Sequence, residues 1–376
     1  MIKAHKIRLN PTPEQEVYFK KAAGTARFIY NWALARWKEH KEEHPDEEYG
    51  PMALKKEFNA IKGEQFPWVY DVTKCASDGA FFNLAKAFKN YYDWQNGKRN
   101  GEQVGFPKFK SKKRSIPSFY LQNDHIRLDG HWIRIPKLGW VNMAEELRFD
   151  GKIMSATVSK DAGHWYVSIS VELEKPGPVD FPQESVGIDF GVKSLGVLSD
   201  GTVYENQGLL RSELNKLKRL NRELSRRQEG SNRWNRTKRK LARFHKKVKD
   251  RRADILHKMT TEIAQTYRLI GIEDLYVKGM LRNHRLALSL SDVALGKARR
   301  QLEYKSEWFG GQTIRVDRFF ASSKLCSDCG MKNDELQLSD RQWACRGCGS
   351  LHDRDWNASK NIEAEMLRIA AVATSR

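Results

Sequence analysis

Hydrophobic and polar positions change period several times along this chain, and those changes outline its elements. Residues 1–10 alternate basic and apolar side chains, the period-two pattern of a strand with one solvated face. Pro11-Thr12-Pro13-Glu14 reads as a helix start, with Thr12 as N-cap and Pro13 in the first helical position. Helical periodicity follows through Phe19, Ala22, Ala26, Ile29, Ala33 and Trp37. A second helix follows the acidic loop at 42–48, and a third carries Phe81, Leu84, Ala85, Phe88 and Tyr92. These aromatics are expected to pack a core rather than stack on bases, and Cys75 to be a buried small hydrophobe. From 118 to 174 the period returns to two, with strands at Ile126–Leu128, Trp132–Ile135, Trp140–Met143, Ser155–Ser159 and Trp165–Leu173. Gly130, Gly139, Gly151 and Gly163 punctuate them as turns do in an antiparallel barrel or sandwich. The proline-rich stretch 176–182 reads as a stiff linker.

Beyond it, Val186–Asp189 is a short buried strand delivering a carboxylate, Gly191 a turn, and Ser194–Leu198 a second strand. Residues 208–264 carry two apolar stripes at helical spacing. One is Leu210, Leu214, Leu217 and Leu224; the other is Leu241, Phe244, Val248, Ile255, Met259 and Ile263. Both are expected to face a core. Leu269–Glu273 and Gln312–Asp317 read as strands, and Asp353–Ile362 as a helix start with Asp355 in its first turn.

Charge narrows the class. A net +20 over 376 residues implies a large polyanionic partner, and the length allows two or three domains. Two regions concentrate it. The loop 97–114 sets Lys108, Lys110, Lys112, Lys113 and Arg114 among Phe106 and Phe109, and the helical region sets Arg236, Lys240, Arg243, Lys247 and Arg251 opposite its apolar stripe. The few acids nearby cannot neutralise the second region, so a polyphosphate backbone is the expected partner. No apolar run approaches the roughly 20 residues a membrane span needs, and no signal peptide is visible. A cytoplasmic protein is expected.

Cysteines add a metal. Cys326-x2-Cys329, fifteen intervening residues and Cys345-x2-Cys348, with Gly330, Gly347 and Gly349 for the knuckle turns, match a closed tetrahedral zinc site. Such a site is structural, and His352 just outside it is expected to be a local hydrogen-bonding partner. Acids ending separate elements, Asp189, Glu273 and Asp355, are individually weak signals. Each has a bland reading as a cap or turn, and Asp274 and Asp353 stand beside two of them. Together they suggest a two-metal phosphodiesterase centre.

The stretches Gly187-Ile188-Asp189, Ile272-Glu273-Asp274-Leu275 and Asp353-Arg354-Asp355-Trp356-Asn357-Ala358 resemble the three split motifs of a RuvC-type nuclease with an RNase H-like fold. Their order, with the cysteine module between the second and third, resembles the TnpB (OrfB) proteins of bacterial insertion sequences, relatives of type V CRISPR effectors. The resemblance implies a multidomain α+β protein. Its wedge is an antiparallel β-barrel (1–10 and 106–178) interrupted by a helical recognition domain (11–105). A RuvC-like nuclease (184–321 and 352–376) follows, with an inserted zinc ribbon (322–351). It also implies an RNA-guided DNA endonuclease in which Asp189, Glu273 and Asp355 hold two Mg2+ and the four cysteines one Zn2+. The implied partners are a guide RNA from the transposon end and double-stranded DNA with a short adjacent motif. Alternatives on the same sequence are a nuclease-deficient guided repressor, a DNA-joining transposase, and an unguided resolvase or RNase H.

Overall fold

The computed structural model describes residues 1–99, 103–174, 180–280, 282, 284–337 and 339–374. The chain forms two compact units, Met1–Glu174 and Lys175–Arg376. Of the expected linker, residues 176–179 lie outside the described residues.

In the first unit, strand β1 (Ile2–Asn10) leads into helix α1 (Pro13–Glu43) through a capping box. The Thr12 hydroxyl accepts the Gln15 amide at 3.3 Å, and the Gln15 side chain accepts the Thr12 amide at 3.0 Å. Helices α2 (Pro51–Gln65) and α3 (Lys74–Gln95) follow. Ile29, Ala33, Leu34, Leu54, Phe58, Phe81, Leu84 and Phe88 make one aromatic-rich core. Phe106 belongs to that core too, 5.5 Å from Trp37 and 5.8 Å from Phe88, so it anchors the basic loop rather than decorating it. Strands β2 (Ser118–Gln122), β3 (Arg127–Asp129), β4 (Trp132–Ile135), β5 (Gly139–Met143), β6 (Lys152–Asp161) and β7 (His164–Glu172) complete the unit.

These strands pair antiparallel in the order β2-β6-β7-β1-β5-β4-β3. β1 lies against β7 along its length, Ile2 opposite Glu172 through Leu9 opposite Trp165, so the helices between β1 and β2 are an insertion into a sheet. Ile7, Leu9, Leu121, Ile133, Val141, Val158, Trp165 and Val167 share one core, closed by Phe19 and Cys75 from α1 and α3. The expected barrel is not closed: β2 and β3 end the order without pairing among the described residues. Alternation states which face of each strand is buried, whereas closure depends on the two edges meeting in register. The edge strand β3, three residues long, offers little ladder for that.

The second unit begins with β8 (Gln183–Asp189), β9 (Ser194–Leu198) and β10 (Val203–Glu205). Helices α4 (Leu209–Ser212), α5 (Leu214–Ser225) and α6 (Asn232–Thr266) precede β11 (Tyr267–Glu273). Helices α7 (Val277–Met280), α8 (His284–Val293) and α9 (Leu295–Phe309) precede β12 (Gln312–Val316). The cysteine module holds β13 (Gln342–Ala344) and β14 (Leu351–Asp353), after which α10 (Arg354–Thr374) closes the unit. The sheet runs β10-β9-β8-β11-β12, with β8, β11 and β12 parallel. Val186, Ile188, Ile270 and Ile272 face Leu256, Met259, Ile263 and Leu302 of α6 and α9. On the other face, Ile362 and Met366 of α10 pack with Val316. Sequence reasoning missed α8 and α9, although Leu290, Val293, Leu295, Ala298 and Leu302 recur at helical spacing and are buried.

Candidate active site and metal centre

Asp189 and Glu273 are the last residues of neighbouring parallel strands. Gly187 pairs with Gly271 and Ile188 with Ile272, so the two acids stand level at one edge of the sheet. Strand alternation turns Ile188 and Ile272 toward α6 and α9, and therefore turns both acids toward the α10 face. A glycine sits two residues before each acid for a steric reason. A Cβ at Gly187 would lie 2.1 Å from the Ser359 carbonyl and 2.5 Å from the Glu363 amide, and one at Gly271 2.9 Å from the Met366 Cβ. These glycines let α10 lie directly on the strands, with Asp355 in its first turn. The Ser185 hydroxyl donating to Glu363 at 2.5 Å and the Trp356 indole donating to the Ser199 carbonyl at 3.0 Å fix its seat.

Asp189 feels the other two carboxylates. The Asp189 carboxyl is pushed up to about 8, first by burial, then by the charges of Glu273 and Asp355; Arg354 and Arg341 oppose the shift. Glu273 accepts the Ser322 hydroxyl at 2.5 Å. Asp355 is gripped by Arg341 at 3.2 Å and Arg354 at 3.1 Å. The trio's oxygens do not all come within 4.8 Å of one another, as the four cysteine sulfurs do.

Neighbouring acids are otherwise engaged. Asp274 pairs with Arg299 at 2.8 Å and Arg318 at 3.0 Å. One Asp353 oxygen accepts the amides of Asp355 and Trp356, both at 3.1 Å, and so caps α10. Asn357 is bonded to the cysteine module. It is buried, accepts the Ser327 amide at 2.9 Å and donates to the Leu325 carbonyl at 2.7 Å. One turn on, Asn361 donates to Ser322 and Leu325 at 2.8 and 2.7 Å. Ser322 and Asn361 were not singled out from the sequence; no local pattern marks a residue whose partner is 39 positions away.

Those asparagines tie α10 to the cysteine module. Cys326, Cys329, Cys345 and Cys348 bring their sulfurs together, with Cys326–Cys348 at 3.6 Å and Cys329–Cys345 at 3.5 Å. Four thiolates at about 2.3 Å from one tetrahedral zinc are roughly 3.8 Å apart, so the donor set fits that ion. Ser350, through its hydroxyl and amide, holds the Cys348 thiol down to about 6. His352 Nε2 lies 3.0 Å from Cys326 Sγ, with Trp343 packed on its ring at 4.8 Å, as a partner of the ligand.

The basic residues divide. Arg236, Lys240, Arg243, Lys247 and Arg251 are all exposed along α6, opposite buried Thr237, Phe244 and Val248, and none has an ion-pair partner among the described residues. Lys108, Lys112, Lys113 and Arg114 are exposed as well. Lys110 is not: its ammonium sits 3.9 Å over the Tyr30 ring and burial lowers its pKa, while Asn31 holds its backbone. Among the described residues, no helix is long and apolar enough to cross a membrane.

Comparison with known proteins gives the family of the chain. Family models described as "Probable transposase", "Cas12f1-like, TNB domain" and "Helix-turn-helix domain" match residues 168–284, 296–362 and 1–44. In this fold the last of these spans holds β1 and α1. The chain is 34% identical to "Putative RNA-guided DNA endonuclease InsQ" of Escherichia coli (strain K12), over 96% of this chain and 92% of that protein. It is 33% identical to a Streptomyces pristinaespiralis protein of the same description, over 98% and 90%. Its fold resembles a chain of the Cas12f1-sgRNA-target DNA complex (TM-score 0.59, 13% identity, covering 96% of this chain and 98% of that one). It also resembles the mini-RNA-guided endonuclease CRISPR-Cas_phi3 (TM-score 0.55, 10% identity, 98% and 92%). With near full-length similarity of this kind, the chain belongs to the TnpB (OrfB) family.

Proposed function

We propose that this protein is an RNA-guided DNA endonuclease that hydrolyses target DNA at Asp189, Glu273 and Asp355 with a pair of Mg2+ ions. The observation that carries the reading is the Asp189 carboxyl, pushed up to about 8 by burial and then by the two other acids. Two acids close enough to raise the proton affinity of a third also attract a divalent cation to it, and an all-oxygen donor set suits a hard ion. Bound there, the ions would supply an activated water and stabilise the departing 3′ oxygen. The chain's own residues do the positioning. Ser322 orients Glu273 by its hydrogen bond, Asp353 fixes the first turn of α10, and Arg341 and Arg354 hold Asp355 through its oxygens.

In the same reading, 1–10 with 106–178 is the wedge, 11–105 the recognition domain, 184–321 with 352–376 the nuclease, and 322–351 a ribbon on structural Zn2+. A guide RNA from the transposon end reads sequence by base pairing. The α6 stripe, with Lys108, Lys112, Lys113 and Arg114, grips backbone phosphates of the guide or of double-stranded target DNA beside a short motif. The protein acts in the cytoplasm, where its nucleic acid lies. The full-length relatives named as RNA-guided DNA endonucleases support the guided part.

The test is to purify the protein, recover co-purifying RNA, and assay Mg2+-dependent cleavage of plasmids matching it. Guided cleavage that Asp189→Ala abolishes, with guided binding retained, is the expected result. Tight binding without cleavage by the unsubstituted protein would make it a repressor, and RNA-free joining of transposon ends a transposase.

A further inference from the structure

We propose that the loop closing α1 holds a second, separate metal site, built from His40, His44 and Glu47, that takes a borderline divalent cation such as Zn2+, Ni2+ or Co2+. Each residue brings a ligand atom within 4.8 Å of the other two. His40 is in the last turn of α1 and His44 ends it, its amide donating to the His40 carbonyl at 2.7 Å. Imidazoles four apart at a helix end share one side, and these rings are 5.1 Å apart. The chain then folds back, bringing a Glu47 oxygen to 3.4 Å from His40 Nε2. That is close to the roughly 3.3 Å edge between two ligands about 2.0 Å from one tetrahedral ion.

The site is held in place before any ion arrives. The Lys41 ammonium donates to the carbonyls of Pro45 at 2.9 Å and Glu47 at 2.6 Å, fixing the loop. The Tyr49 ring stacks on His40 at 3.9 Å and 27°, and its hydroxyl donates to Glu57, which Arg36 also grips at 2.7 Å. The His40 side chain is only 13% exposed, and its Nε2 is shut off from water without a hydrogen-bond partner. The Glu47 contact thus falls short of a hydrogen bond, and a buried ring nitrogen left unpaired is unfavourable. A cation between the two groups satisfies both. Two imidazoles and one carboxylate are a zinc-type donor set with a position left for water, and are unsuited to Mg2+, which prefers oxygen. The ion would cross-link the end of α1 to the loop entering α2, as a staple on the helical insertion.

The test uses untagged, full-length protein carrying Asp189→Asn and one equivalent of Zn2+, enough to fill the cysteine module alone, in millimolar Mg2+, so that neither that module nor the acidic centre competes. Calorimetric titration with Ni2+ should show one equivalent bound and a higher thermal midpoint. His44→Ala and Glu47→Gln, both at exposed positions, should each weaken binding at least tenfold and abolish the thermal shift, with helical circular dichroism unchanged. No Ni2+ bound, or equal binding in His44→Ala, overturns the site.

Discussion

At the scale of single residues, burial ties the ionisation of Asp189 to stability. Its folded-state pKa, about 8, lies above its ordinary value of 3.8. The contribution of Asp189 to the stability of the metal-free protein is therefore fully present below pH 3.8 and is lost as pH rises through 8, because its carboxyl ionises freely in the unfolded chain. Asp189→Asn should abolish cleavage yet raise the metal-free thermal midpoint at pH 8.5, by at least about 2–4 °C, with little change at pH 4; differential scanning calorimetry at the two pH values checks this. Metal affinity should climb up to pH 8, as the proton it displaces becomes easier to lose. Gly187 tests the packing beneath. Gly187→Ala places a methyl 2.1 Å from a backbone carbonyl and should cost about 1–3 kcal/mol or more in urea unfolding, whereas Gly50→Ala, with open space around it, should cost far less. The glycines were legible as strand residues; that they are the floor under α10 was not, because a helix from residue 354 onward must be in place to reveal it.

At the scale of elements, α6 and α10 carry opposite kinds of information. The α6 stripe is a pure periodicity signal: Thr237, Phe244 and Val248 are buried and Arg236, Lys240, Arg243, Lys247 and Arg251 lie outside. Replacing Arg243 and Lys247 by Ala should weaken nucleic-acid binding evenly across sequences and lower the log–log salt slope by about 2, measured between 50 and 200 mM salt. Lys110→Ala should leave that slope unchanged, since its ammonium rests on Tyr30. The role of α10 rests on long-range partners. Asn357→Ala would leave the Ser327 amide unpaired, costing about 1–3 kcal/mol, and should slow cleavage without releasing zinc. Cleavage and metal content measured on one preparation separate the two effects.

At the scale of the whole molecule, the charge and the cysteine module set the expectations. Stripping zinc with a chelator should remove hydrogen-exchange protection from the cysteine module, while α10, which is seated on the sheet and bonded to Ser322, Leu325 and Ser327, should keep its own. Protection in Met1–Glu174 should persist, as that unit has its own cores. The sheet of the first unit shows how far local reading reaches. Its alternation located most of its strands and its buried faces, yet neither β1's central place nor the open order from β2 to β3 follows from alternation. Pairing joins residues more than a hundred positions apart, and period two is satisfied by any partner in register.

Composition, spacing and periodicity alone determined that this chain is strongly basic, spaces four cysteines as a zinc site requires and places acids at the ends of separate elements. Those properties belong to short stretches and survive without a fold. Only tertiary structure decided which acids face one another, which neighbours are taken by arginines or caps, and that His40, His44 and Glu47 converge. Each of these is a matter of distance between backbones, and the chain acquires such distances only when its strands and helices pack.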